Sequence, residues 1–159
     1  MAKSIIYFFS GTGNTLYVAK ELASLMGGEL VPITSAVCAD RICPEADIVG
    51  IVYPVYYGGL PPVVYDFAKK LSGLENKYVF AVSYYGGSHG FSVIMLEECV
   101  VAAHGTLAAA YGIHMPQNAF KKFCETNNRI VAGNKKRCYT IARNTNLGKK
   151  TFESSFCLG

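Results

Sequence analysis

Ser10-Gly11-Thr12-Gly13-Asn14-Thr15 gathers three kinds of hydrogen-bonding group and two glycines into six consecutive positions, a combination suited to gripping an anion without a formal positive charge. Glycine lets backbone N–H groups approach a ligand closely, while hydroxyls and side-chain amides donate to phosphate oxygens. A nucleoside-triphosphate loop of the Walker type needs a lysine for the outer phosphates and a Ser/Thr for magnesium after a longer glycine spacing. No lysine occurs between Lys3 and Lys20. The cup therefore suits one terminal phosphate carried by a larger ligand whose remaining affinity comes from stacking and hydrogen bonds elsewhere. A strand-to-helix turn capped by Thr or Asn is the plainer alternative; six compatible residues in a row favour the phosphate site.

Two later segments supply what a planar ring needs. Pro54-Val55-Tyr56-Tyr57-Gly58-Gly59-Leu60-Pro61 places two aromatics before two glycines between bracketing prolines, stiff at its ends and permissive in its middle. Ser83-Tyr84-Tyr85-Gly86-Gly87-Ser88-His89-Gly90 repeats the arrangement, with Phe91 following. A tyrosine face stacked on a ring contributes about 0.5–1.5 kcal/mol beyond area burial, and the glycines admit the ring edge to the backbone. A third stretch, His114-Met115-Pro116-Gln117-Asn118, is a candidate wall above such a ring, with a plain loop as the alternative.

The elements that position these segments follow from periodicity. Short apolar runs predict strands near 3–9, 30–33, 47–53, 77–84 and 107–114, separated by helical patterns near 14–26, 61–72 and 91–104. Pro61 and Pro62 open the second helix, Gly105 closes the third, and a last helix is expected within 129–147, weakened by Gly133. Regular alternation predicts an α/β fold: a doubly wound five-stranded parallel sheet in the order 2-1-3-4-5. In such a sheet ligands bind beyond the carboxyl ends of the strands, at the switch point between the first and third. All three loops open on that edge.

Composition bounds the rest. A chain of 159 residues, 51% hydrophobic, predicts a single domain over 1–159 with a full core. No apolar run approaches the roughly 20 residues of a membrane span, and the five-residue run after Lys3 is short for a secretion signal, so a cytoplasmic location is expected. The six cysteines read as thiols; none forms a C-x-x-C pair suited to a metal or cluster, and no metal site is expected. Charge is lopsided. Residues 1–115 hold 6 Lys/Arg against 9 Asp/Glu, a net of −3, whereas 116–159 hold 9 against 2, a net of +7. Lys135, Lys136, Arg137 and Arg143 in this basic segment fit either a solvated helix face or a docking patch for an acidic partner. Few interleaved aromatics and no reader motif argue against nucleic acid.

Ser10 to Thr15 resembles the phosphate loop of the flavodoxin family, and the two tyrosine–glycine segments resemble that family's flavin-contacting loops, a similarity spanning roughly residues 3–147. The Pro54–Pro61 segment resembles the flavodoxin halves of bacterial flavodoxin plus ferredoxin fusion proteins more than it resembles short-chain electron-carrier flavodoxins. The resemblance implies flavin mononucleotide (FMN) as cofactor, held by Ser10, Gly11, Thr12, Gly13, Asn14 and Thr15, by Pro54, Val55, Tyr56, Tyr57, Gly58 and Gly59, and by Ser83, Tyr84, Tyr85, Gly86 and Gly87. It implies Tyr57 as the stacking residue, with Tyr56 in its place if the register slips by one, and Gly58 as the source of a carbonyl that turns toward N5 of the one-electron-reduced ring. Tyr85 or Phe91 is then placed to cover the other face. His89 is a candidate proton donor to reduced flavin; a backbone-bound histidine is the plainer reading. The implied function is electron transfer between redox proteins, an acidic ferredoxin among the candidate partners, with an FMN-dependent oxidoreductase acting on a quinone, NAD(P)H or another small substrate as the alternative. No nucleophile with a base and no paired carboxylates are visible, which favours a carrier. The chain departs from acidic electron-carrier relatives: Gly58-Gly59-Leu60 holds no carboxylate, so by Coulomb's law a less negative second reduction potential is expected.

Overall fold

The computed structural model describes residues 2–114 and 124–152, with side chains for 2–114 and 134–150. Strands and helices alternate as β1 (Ser4–Phe8), α1 (Asn14–Met26), β2 (Glu29–Pro32), α2 (Ile33–Ala36), β3 (Ile48–Pro54), α3 (Pro62–Lys70), β4 (Tyr78–Tyr85), α4 (Ser92–Ala102), β5 (Leu107–His114), α5 (Cys124–Asn146) and β6 (Thr151–Phe152). The sheet runs β2-β1-β3-β4-β5-β6, with every pair parallel. The expected five-strand order is thus observed. Two short elements extend it: the single-turn α2, and β6, which sets Thr151 opposite Ala109 and Phe152 opposite Ala110. The last helix starts at Cys124, before the expected window, and runs through Gly133.

Both sheet faces are covered, which is why β3 is buried at every position and reads as an unbroken apolar run. On one face Ile6, Val52, Phe80 and Val82 pack against Val18, Leu22 and Met26 of α1 and Cys138 and Ile141 of α5. On the other, Tyr7, Val49, Ile51 and Tyr53 meet Val64 and Phe67 of α3 and Leu96 and Val100 of α4. The spacing of Val18, Leu22 and Met26 repeats every four residues, the stripe that one helix face buries. Each large side chain removed from water contributes about 1.5–3 kcal/mol. Helix α1 stops where Gly27 turns left-handed and the Gly28 N–H closes back on the Ala23 carbonyl at 2.9 Å. No helix among the described residues is long and apolar enough to cross a membrane.

Because the strands are parallel, the loops after β1, β3 and β4 leave the sheet at one edge, the carboxyl edge. Among the residues whose side chains are described, the basic residues of the C-terminal segment are spread along the sheet rather than gathered at that edge. Lys135 and Lys136 are exposed, and the Arg137 Nε donates to the Gly112 carbonyl at 2.7 Å, beside the carboxyl half of β5. Lys149 lies at the opposite edge, where Tyr78, the first residue of β4, donates its hydroxyl to the Lys149 carbonyl. A helical rise of 1.5 Å per residue spreads these cations over roughly 20 Å. Lys121, Lys122 and Arg129 of the same segment lie outside the residues whose side chains are described.

Candidate functional site

The phosphate loop begins where β1 ends, with the Phe9 N–H on the Val52 carbonyl at 3.0 Å. Ser10 Oγ accepts the Gly13 N–H at 2.9 Å, and Gly13, at φ 95°, is the N-cap of α1. No side chain caps the helix and no acidic residue occupies its first turn, so the Thr or Asn cap entertained from sequence is not formed. Backbone N–H groups at such an end, aligned with the positive end of the helix dipole, favour an anion. A Cβ placed on Gly13 would meet nothing within 4 Å, so the loop opens onto unfilled space. Thr12 is exposed and Thr15 is buried. The Asn14 amide donates to Tyr84 Oη at 3.0 Å. Burial raises the Tyr84 phenol pKa and the Asn14 bond partly offsets it.

The loop after β3 makes a tight reversal. Tyr56 N–H donates to the Gly59 carbonyl at 3.1 Å, and Gly59 N–H returns to the Tyr56 carbonyl at 2.9 Å. Tyr57 (φ 49°) and Gly58 (φ 75°) are both left-handed, the I′ pattern of a two-residue hairpin. Val55 N–H is anchored to the Tyr84 carbonyl at 2.8 Å, and Pro54 lies in register with Tyr84. Tyr57 projects fully into solvent, whereas Tyr56 lies across the sheet edge with its ring edge-on to Phe9, centroids 6.2 Å apart.

The Gly58 carbonyl accepts the Phe91 N–H at 2.6 Å, joining this turn to the start of α4. Gly90 makes the join possible: at φ 53°, a Cβ there would overlap the Gly58 carbonyl oxygen and Cα. The carbonyl that the resemblance singled out is thus engaged, and the peptide at the centre of the turn is Tyr57–Gly58.

The third loop divides into an outer and an inner part. Gly87 is open, with nothing within 4 Å of a Cβ placed there. Ser83 is fully buried and its hydroxyl is engaged inside the fold, donating to the Tyr111 carbonyl at 3.3 Å and lying 3.2 Å from His89 Nδ1. His89 is buried too, its ring 3.6 Å from that of Tyr85 and nested where Gly112 leaves room, since a Cβ on Gly112 would overlap His89 Cε1. Tyr85 also meets His114 edge-on, centroids 5.5 Å apart, and His114 Nε2 lies 3.1 Å from the Gly86 carbonyl. His89 therefore braces the loop, and Phe91, 69% exposed, is the aromatic that stands at the rim. Met115 to Asn118 lie outside the described residues. Sequence reasoning missed the Gly58–Phe91 bond and the Gly112–His89 packing; an isolated glycine inside an apolar strand was the available sign of close approach.

Cys38, Cys43, Cys99 and Cys138 are free thiols, and among the described residues no cluster of His, Cys, Asp or Glu is placed to hold a metal ion. A doubly wound parallel sheet with its loops gathered at the β1/β3 switch point defines a flavodoxin-like α/β fold, whose ligands bind beyond the carboxyl ends of the strands. The model of the flavodoxin domain matches residues 5–90, more than half of the chain and all three loops up to Gly90. The chain belongs to the flavodoxin family, and that membership implies a flavin cofactor, which the open, carboxylate-free loops fit. No curated protein matches the chain. Similar solved structures are oxidised flavodoxin 1 from Bacillus cereus (16% identity, 91% of this chain and 97% of that one, TM-score 0.66) and a flavodoxin from Streptococcus pneumoniae TIGR4 (18%, 92% and 99%, 0.64). An azoreductase from Bacillus anthracis is also similar (8%, 91% and 100%, 0.63). Their likeness is one of fold.

Proposed function

We propose that the protein binds FMN at the carboxyl edge between β1 and β3 and passes electrons between redox proteins. The observation that carries this reading is the meeting of an uncapped, uncharged phosphate loop with two aromatic–glycine loops joined to one another through Gly58 and Phe91. FMN would supply the redox chemistry, and the chain supplies position and surroundings. Ser10 to Thr15 would hold the phosphate, largely through backbone N–H groups. Tyr56, Tyr57, Gly58 and Gly59, with Pro54 and Val55 as their frame, would line one side of the ligand. Tyr84, Tyr85, Gly86 and Gly87 would serve the polar edge of the ring, with Ser83 as a support beneath them. The burial of His89 favours a carrier, because the proton donor that the third loop offers is packed into the fold.

Docking of an acidic partner, a ferredoxin among the candidates, would draw on Lys135 and Lys136, exposed cations next to Arg137 on α5. The alternative, an FMN-dependent oxidoreductase, is favoured by the exposed Tyr57 and Phe91, which could flank a small substrate, and by the similarity to an azoreductase. The test is a visible spectrum of the purified protein on titration with FMN. Shifted flavin bands with quenched fluorescence support both redox readings, and no binding at micromolar FMN rejects both. Turnover of NAD(P)H with a quinone would then select the enzyme; rapid electron exchange with ferredoxin and no turnover would select the carrier.

A further inference from the structure

Tyr56 reaches the phosphate loop. A Cβ placed on Gly11 would lie 2.6 Å from Tyr56 Oη and 4.0 Å from its Cζ, with nothing else within 4 Å, so the phenol hydroxyl rests over the first glycine of the cup. The ring is held in that direction by its edge contact with Phe9 and by the paired bonds to Gly59 at the base of the turn. No cation stands between Lys3 and Lys20 to neutralise a phosphate. Within the loop the charge is met by neutral donors, and a phenol O–H is one of them. Tyr57, by contrast, points its whole side chain outward and makes no such approach.

We propose that Tyr56 is a ligand of the terminal phosphate through Oη, and that it makes the site prefer a phosphorylated flavin to riboflavin. The proposal rests on the flavin reading above and divides the two tyrosines: Tyr56 serves the phosphate end and Tyr57 is left for the ring. It also explains why glycine stands at position 11, since a methyl group there would displace the hydroxyl.

Fluorescence-quenching titrations of the full chain with FMN and with riboflavin test it, on the native protein, Tyr56→Phe, Gly11→Ala and the double variant. Phenylalanine keeps the ring and its Phe9 contact while removing the hydroxyl. Loss of a hydrogen bond to a charged group should weaken FMN binding by about ten-fold or more, with riboflavin affinity changed by less than about two-fold. Gly11→Ala should weaken FMN in the native background but add little on Tyr56→Phe, because the nearest remaining atom would be at 4.0 Å. Equal losses for FMN and riboflavin in Tyr56→Phe, an unchanged FMN affinity, or additive effects of the two substitutions would overturn the assignment. Failure of the native protein to bind FMN would instead reject the flavin reading itself, and this inference with it.

Discussion

The phosphate loop takes its shape from neighbours in sequence: Ser10 closes on Gly13, and Gly13 starts the helix that follows. The Tyr56–Gly59 turn closes on itself as well, but its placement depends on residues far along the chain, through Val55 to Tyr84 and Gly58 to Phe91. One region owes its turn to local bonds, with Asn14 to Tyr84 as its long-range tie, and the other is held mainly from β4 and α4. A locally built loop tolerates change elsewhere, whereas the turn inherits the stability of every element it leans on.

Four substitutions or conditions would break or sharpen that contrast. Gly90→Ala should have the largest effect, because the new Cβ overlaps Gly58 backbone at a left-handed φ. A loss of roughly 3 kcal/mol in urea unfolding is expected, and an unchanged midpoint would show that the turn does not need this contact. Thr12→Glu addresses the other region. Position 12 is exposed, so folding stability should change by no more than about 0.5 kcal/mol, while FMN affinity should fall by about a hundred-fold as carboxylate and phosphate repel.

Tyr57→Gly should produce opposite signs in two measurements. Relief of the left-handed strain at φ 49° should raise unfolding stability by about 0.5–1 kcal/mol, while loss of the ring should weaken FMN by about three- to ten-fold. The smallest effect concerns Tyr84, whose side chain meets Asn14 and whose carbonyl holds Val55. Its pKa is raised above 10.0 by burial, so the unfolded phenol ionises first, and the contribution present below pH 10 is lost as pH rises further. Urea midpoints measured from pH 8 to 11 should fall less steeply for Tyr84→Phe than for the native chain.

The difference between the two regions also explains what the sequence disclosed. β1, α1 and the phosphate loop were legible because apolar runs, a four-residue stripe and glycines at a strand end are local signals; α1 begins and ends at the expected positions 14 and 26. The sheet order followed from alternation. What could not be read was set by contacts between distant segments: the capture of the Gly58 carbonyl by Phe91, the inward turn of Ser83 and His89, and the placement of Arg137 on the Gly112 carbonyl. Helix α2 has four residues and β6 has two, each too short to carry a period, and β6 is defined by its pairing with Ala109 and Ala110.

That small strand has a consequence for how copies of the protein meet one another. β5 is buried from Leu107 to Ile113 and rich in alanine, and an uncovered margin on such a strand would offer its backbone as a template for intermolecular pairing. β6 occupies part of that margin, while the opposite margin is a short strand bearing Glu29 and ending in Pro32, residues that discourage further pairing. Both margins of the sheet thus carry features that oppose edge-to-edge pairing with a second molecule.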